Sequence, residues 1–328
     1  MKSTLEYLLQ GNVLSEREAV AVLTDIVNQK YNAVQVAAFL TIYNTRLPST
    51  VELKGFRKAI MNLSEKVNVL QHRTLDIVGT GGDGKNTFNI STLAAIVCAG
   101  AGVPVTKHGN YAYSSITGSS DVLEYLNFSM AENAKTVQEQ LAVANFSFLH
   151  APHFYPALKN VSEVRKSLQV KTIFNLLGPL VNPVRPNYNL IGVNSVDTGD
   201  LYKSVLENTE ANYLIIHAND GYDELSLTSD AIGWTKKKAR TVFNVKKMVG
   251  AYLSQESLKG GKSIAENARI FMNVLQLKAT PEQQKVVLYN AALGIQLYED
   301  NSLAAALQMA EESLLSKKAL KCFELLKK

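Results

Sequence analysis

The short run Leu75-Asp76-Ile77-Val78 leads without a gap into four glycines, Gly79, Gly81, Gly82 and Gly84. Past Asn89-Ile90-Ser91-Thr92 comes the apolar run Leu93 to Val97. The pattern reads as a buried strand, a glycine turn and a helix. Glycines in such a turn admit φ > 0 and let backbone N–H groups approach a ligand, while the helix start adds unpaired donors and the positive end of its dipole. An anion, phosphate first of all, belongs here. Two familiar phosphate loops share parts of this spelling. Gly79, Gly81 and Gly84 fit G-x-G-x-x-G, but a dinucleotide fold also wants an acidic residue after the next strand, and Val103-Pro104-Val105-Thr106 ends in Lys107. Gly79 to Lys85 fits G-x-x-x-x-G-K, yet Asn86 stands where a P-loop needs a hydroxyl for Mg²⁺.

With 328 residues, 46% hydrophobic and 19% charged, the chain is long enough for one large or two modest globular domains. No stretch approaches the roughly twenty apolar residues of a membrane span, and Met1-Lys2-Ser3-Thr4-Leu5-Glu6 lacks the apolar core of a secretory signal. A soluble, cytoplasmic protein with no membrane partner is expected. Cys98 and Cys322 stand in no metal-ligand spacing, and Cys98 reads as a buried structural thiol. A net charge of +5 is modest, so Lys236-Lys237-Lys238-Ala239-Arg240 reads as a solvated hairpin or loop and no nucleic-acid partner is expected.

Residues 1–70 are helical in pattern. Ser15 with Glu18 and Ser49 with Glu52 have the capping-box spacing, Asn32 can cap the helix between, and Val20, Leu23 and Val27 recur at helical intervals. Three or four short helices follow, whose leftover apolar face can serve a dimer contact. From Leu75 the pattern changes. Apolar strands at Leu75 to Val78, Val103 to Thr106, Phe146 to Leu149, Leu190 to Val193 and Tyr213 to His217 alternate with helical segments such as Val122 to Leu126 and Ala131 to Ala144. The expected architecture is a small N-terminal all-helical domain, residues 1–70, plus a larger α/β domain, residues 71–328, with a central, mostly parallel sheet. Pro156 to Pro186 interrupts the alternation and is expected to rejoin the helical domain across the cleft mouth. A hairpin is expected after residue 235, then Gly260-Gly261 with Glu266-Asn267-Ala268 opening a helix.

Lys107-His108-Gly109-Asn110-Tyr111-Ala112-Tyr113-Ser114-Ser115 follows its strand directly and is itself followed by Gly118-Ser119-Ser120-Asp121. It offers a point charge, an amide and hydroxyls, which suit a substrate rich in phosphate oxygens. Asp223-Glu224, after the strand Tyr213 to His217, can share Mg²⁺ with such a substrate or be a solvent-facing acidic turn. Arg165, ahead of Thr172 to Pro183, can hold a planar carboxylate through two parallel bonds or be an exposed helix arginine.

In order along the chain, Asp76-Ile-Val-Gly-Thr-Gly-Gly-Asp83, Asn89-Ile-Ser-Thr92, Lys107-His-Gly-Asn110, Gly118-Ser-Ser-Asp-Val-Leu-Glu124, Thr172 to Pro183 and Asp223-Glu224 resemble the anthranilate phosphoribosyltransferases. That resemblance covers nearly the whole chain. It implies transfer of the phosphoribosyl group of phosphoribosyl pyrophosphate to the amine of anthranilate, in tryptophan biosynthesis, with two Mg²⁺ ions in a homodimer joined through the N-terminal helices. It further implies that Gly79, Gly82, Asp83, Thr87, Asn89, Ile90, Ser91, Thr92, Lys107, Ser115 and Ser119 bind phosphoribosyl pyrophosphate. Gly79, Asn110 and Arg165 would face anthranilate, and Ser91, Asp223 and Glu224 would hold metal. No catalytic residue is assigned, although His108 can accept the amine's proton. One departure stands out, since the family commonly has arginine where Tyr111 stands. The competing readings are a pyrimidine nucleoside phosphorylase of the same fold and a non-catalytic relative that binds nucleic acid.

Overall fold

The computed structural model describes residues 1–70, 73–112 and 116–328. Four helices open the chain: α1 (Lys2–Leu9), α2 (Glu16–Val27), α3 (Ala33–Thr45) and α4 (Thr50–Asn62). Ser15, Asn32 and Ser49 each accept the N–H three residues on, and Glu18, Gln35 and Glu52 return the bond to the cap backbone. Each helix start is thereby fixed by local chemistry. The buried stripe of α2 is Ala19, Val22, Leu23, Ile26 and Val27, so Val20 lies at its edge and not within it.

Glu52 does more than cap. Its carboxylate is fully buried and accepts from Leu14 N at 3.1 Å, Tyr43 Oη at 2.9 Å, Ser49 N at 2.8 Å and Arg46 Nη2 at 2.7 Å. Burial pushes its pKa up, but the Arg46 guanidinium and the Ser49 and Leu14 amides outweigh that and hold it down to about 2.

The sheet has seven strands, β1 (Leu75–Gly79), β2 (Val105–Gly109), β3 (Phe146–His150), β4 (Tyr188–Gly192), β5 (Asn212–Ala218), β6 (Ala231–Thr235) and β7 (Thr241–Phe243), in the order β3-β2-β1-β4-β5-β6-β7. The first five are parallel, and β6 and β7 run antiparallel at one edge. Two boundaries differ from the sequence reading. β2 begins at Val105 because Pro104 has no N–H to give the ladder, and its carbonyl instead accepts from Leu75 N at 2.9 Å. The hairpin begins at Ala231, before residue 235, and the basic run Lys236 to Arg240 is its turn. Part of that run is tied down, with Lys236 Nζ on Thr209 O at 2.7 Å and Arg240 paired to Asp200.

Helices α5 (Ile90–Gly100), α6 (Ser119–Tyr125), α7 (Ala134–Ala144), α8 (Ala151–Phe154), α9 (Lys159–Leu168), α10 (Ile173–Leu177) and α11 (Val196–Leu206) connect the parallel strands. After the hairpin come α12 (Val245–Val249), α13 (Ile264–Leu275), α14 (Pro281–Glu299), α15 (Leu303–Leu315) and α16 (Lys318–Glu324). Ala131, expected in a helix, instead bridges Leu149 beside β3, and α7 starts later behind the Asn133 cap.

Side chains alternate across the sheet, as a strand's period of two requires. Ile77, Leu190, Leu214 and Ile216 join a core with α5 and the C-terminal helices, in which Cys98 is buried. Ile191, Tyr213, Ile215 and Trp234 face the opposite way into a core shared with α2, α3 and α4. α9 packs on α2 and α3, and α10 on α3 and α4, with Asn160 Nδ2 donating to Val27 O at 3.1 Å and Arg57 Nε to Leu180 O at 2.8 Å.

Candidate functional site

Parallel order β2-β1-β4 means that the chain leaves β1 in one direction and later returns on its other side. A crevice opens beyond the strand ends at such a switch point. There lies a cavity of about 880 Å³, reached by the glycine turn, the end of β2, α9 and the Asp223-Glu224 turn.

Gly81 and Gly82 adopt φ of 68° and 69°, the left-handed region that glycine enters without penalty. This turn is stitched to two distant segments. Asp223 Oδ2 accepts from Gly81 N at 2.6 Å and from Thr80 Oγ1 at 3.2 Å, while Asn86 O accepts from Gly260 N at 2.7 Å. The Gly260-Gly261 turn is itself held by Asn267 Oδ1, which accepts from Gly261 N at 3.0 Å. The acidic turn approaches so closely because Gly192 ends β4, where a Cβ would fall 1.6 Å from Asp223 O.

Asn89 stands at the N-terminus of α5 and makes no side-chain cap bond, and its buried Oδ1 has no partner within the protein. Ser91 and Thr92 occupy the first turn behind it and line the cavity. Ile90 buries its side chain in the core and spends its N–H on Phe88 O at 2.7 Å, so it places its neighbours. Lys107 is buried, with Nζ donating to Ile77 O and, at 3.4 Å, to Ser91 Oγ. Burial lowers its pKa to about 8, against the pull of Asp76, Glu224 and Asp223. Lys107 therefore keeps most of its positive charge near neutral pH.

Asp223 and Glu224 are not a solvent-facing turn. Burial raises both carboxyls well above their ordinary values, and each is raised further by Asp83, with Asp223 also acting on Glu224. Thr87 bonds the Glu224 carboxylate from the glycine loop side. Crowded acids that cannot all ionise are a place where a cation is favoured, and hard oxygen donors suit Mg²⁺. Among the described residues no three His, Cys, Asp or Glu side chains form a ready cage.

His108 is buried and points Nδ1 at Gly178 O, 3.4 Å away, so Nδ1 carries the hydrogen and Nε2 is left as an unpartnered acceptor. Burial lowers its pKa to about 4. Such an imidazole is a weak base, and its geometry suits orienting an N–H donor more than removing a proton. Arg165 reaches the cavity from α9 with its guanidinium 5.0 Å from the centre of the Phe174 ring, a cation–π contact that aims the planar group. Gly79, Gly82, Asp83, Thr87, Asn110 and Ser119 also line the cavity, whereas Ser115 lies outside the described residues.

Two buried residues escaped the sequence reading as site residues. Asp76 in β1 accepts from Asn182 Nδ2 at 2.9 Å and from His108 N at 3.3 Å, and Asn182 Nδ2 also reaches Thr106 O at 2.7 Å. They tie β1 to β2 on either side of Lys107. The available signal was a charged residue inside an apolar strand, which must find partners when buried.

Residues 71–320 match the family described as glycosyl transferase family, a/b domain, and residues 2–64 match its helical bundle domain. A relative from Cytophaga hutchinsonii named anthranilate phosphoribosyltransferase is 44% identical over 99% of this chain and 99% of its own length. The chain belongs to the anthranilate phosphoribosyltransferase family. This anthranilate phosphoribosyltransferase family member superposes on the crystal structure of the Thermus thermophilus enzyme with a TM-score of 0.88, at 32% identity over 98% of this chain and 97% of that one. The Saccharomyces cerevisiae enzyme in complex with PRPP and Mg gives the same TM-score of 0.88, at 30% identity over 96% and 93% of the two chains.

Proposed function

We propose that this chain transfers the phosphoribosyl group of phosphoribosyl pyrophosphate to the amine of anthranilate, giving N-(5-phosphoribosyl)anthranilate and pyrophosphate. The observation that carries this is the convergence of the glycine turn, Lys107, the acidic pair and Arg165 on one cavity at the switch point. Gly79, Gly82, Asp83, Thr87, Asn89 to Thr92, Lys107, Ser115 and Ser119 bind the sugar diphosphate. The helix N-terminus, backbone N–H groups and Lys107 meet the negative charge that builds on departing pyrophosphate. Ser91, and Asp223 with Glu224, would each hold one of two Mg²⁺ ions, which would supply further neutralisation of that charge.

Arg165 takes the anthranilate carboxylate, and Asn110 and the backbone of Gly79 set the ring. His108 Nε2 accepts a hydrogen bond from the amine and directs its lone pair at the anomeric carbon. Placement is the main demand, because an aromatic amine is neutral and already nucleophilic.

Residues 1–70 with parts of 156–186 act as one helical unit and residues 71–328 as the sheet unit, the cavity lying between them. A groove between α1 and α3, lined by Leu5, Leu8, Leu9, Ala38 and Ile42, is the homodimer contact in this reading. In this reading the enzyme works in the cytoplasm; no helix among the described residues is long and apolar enough to cross a membrane.

The test mixes the purified chain with phosphoribosyl pyrophosphate, Mg²⁺ and anthranilate and follows the loss of anthranilate fluorescence. Turnover that stops when any one component is withheld supports the assignment. Phosphorolysis of thymidine or uridine in its place would overturn it.

A further inference from the structure

The segment after β2 carries Asn110, and α6 begins with Ser119; the two meet through a residue that neither substrate touches in the reading above. Asp121, in the first turn of α6, turns a single oxygen, Oδ2, on both Ala112 N at 2.8 Å and Gly118 N at 2.7 Å. One carboxylate thus closes the neck of the stretch that runs from residue 112 to residue 118. The neck is packed tightly: a Cβ on Gly118 would lie 2.4 Å from Ala112 N and 2.8 Å from Asn110 O.

Beside this closure, Asn110 O accepts from Ser120 N at 3.2 Å and from Ser119 Oγ at 3.3 Å. Asn110 Oδ1 accepts from Tyr111 N at 2.8 Å, which fixes the carboxamide with its NH₂ as the free donor. A buttress stands behind. Ser120 Oγ is 2.9 Å from His150 Nδ1, the His150 ring meets the Tyr111 ring edge-on at 4.7 Å, and the Tyr111 hydroxyl bonds Glu124 of α6. Tyr111 therefore spends its polar end on α6 and its ring on β3.

We infer that Asp121 is a positioning residue which locks Asn110 and Ser119 into one unit, so that the groups for the aromatic acid and for the sugar diphosphate keep a fixed spacing. The inference rests on the function proposed above. A carboxylate that accepts two backbone N–H groups makes charge-assisted bonds, which are stronger than neutral ones. An ordinary helix-capping acid would add only stability to α6.

Steady-state kinetics of the full-length D121A and D121N variants, with thermal melting alongside, separate these roles. D121A is expected to lower kcat/KM for each substrate by roughly tenfold or more, the scale of one bond to a charged group, through a rise in both KM values. D121N keeps an oxygen acceptor and is expected to recover most of that loss. A D121A enzyme that melts lower but shows unchanged KM for both substrates overturns the inference. Should D121A fail to fold, D121S, whose shorter hydroxyl cannot span both amides, carries the test through amide hydrogen exchange. Faster exchange at Ala112 and Gly118 with raised KM for both substrates supports the lock, and unchanged exchange and KM overturn it. Wild-type protein without turnover defeats the proposed function itself, whereas active wild type with a D121A twin defeats this inference alone.

Discussion

Arg165 and Glu52 show how one charged side chain can serve recognition or stability according to what surrounds it. Arg165 lies over Phe174 and lines the cavity, where a guanidinium can meet a carboxylate through two bonds. Arg165→Ala should weaken anthranilate use by about 1.5 to 3 kcal/mol, the range for hydrogen bonds to charged groups, with little change in the KM for phosphoribosyl pyrophosphate. An unchanged anthranilate KM would reject the clamp. Glu52 lies far from this chemistry. Its folded pKa of about 2 is below the ordinary carboxyl value of 4.5, so its stabilising contribution is complete above the unfolded pKa and lost as pH falls through the folded one. Glu52→Gln should cost about 3 kcal/mol at neutral pH, and the gap from wild type should close as pH drops from about 5 towards 2. Urea denaturation across that pH range measures it, and a pH-independent gap would contradict the assignment.

At the scale of elements, the site depends on three strand ends cut to the right height. β1 ends in Gly79, β4 ends in Gly192, and the turn after β5 folds over both so that Asp223 can hold the glycine loop. Gly192→Ala places a methyl group against Asp223 backbone, 1.6 Å from its carbonyl oxygen, and backbone cannot step aside cheaply. The acidic turn must move. This variant should lose at least about tenfold in kcat/KM, which is roughly 1.4 kcal/mol, and need more Mg²⁺ for half-maximal rate. A variant with wild-type Mg²⁺ dependence would show that the turn is not fixed by β4. The reach of α5 works in the same direction, because Asn89, Ser91 and Thr92 face the cavity only if the helix starts where the glycine loop ends.

For the whole molecule, the second core ties the site to the N-terminal helices. It joins the sheet's Ile191 and Ile215 to Phe39 and Phe56 of the N-terminal helices and to Ile173 and Phe174 of α10. The face of α1 turned away from it carries Leu9, 74% exposed, beside the groove against α3. Exposed apolar surface of this kind is where a second copy gains most by burial. If the proposed homodimer forms through α1, Leu9→Asp should shift sedimentation towards monomer while circular dichroism stays unchanged. A wild-type protein that sediments as a monomer at micromolar concentration would refute the proposed homodimer.

Local elements can be read along the chain: the capped helices at Ser15, Asn32 and Ser49, the parallel strands from Leu75 onward, and the strand-glycine-helix unit that offers donors to an anion. These are legible because capping and periodicity act over a few residues of chain. Motif order also carried the family, and most of the site residues that the resemblance implied line the cavity. It takes the folded arrangement to show that Glu224 is buried and Asp223 half-buried beside Asp83, that Asp76 and Asn182 tie β1 to β2 beside Lys107, and that Asp121 closes the neck between Ala112 and Gly118. Each of these joins residues separated in the chain, and no local pattern states which buried charge meets which partner. A buried polar group is tolerated only where its partners arrive, and their arrival is a property of packing rather than of spacing.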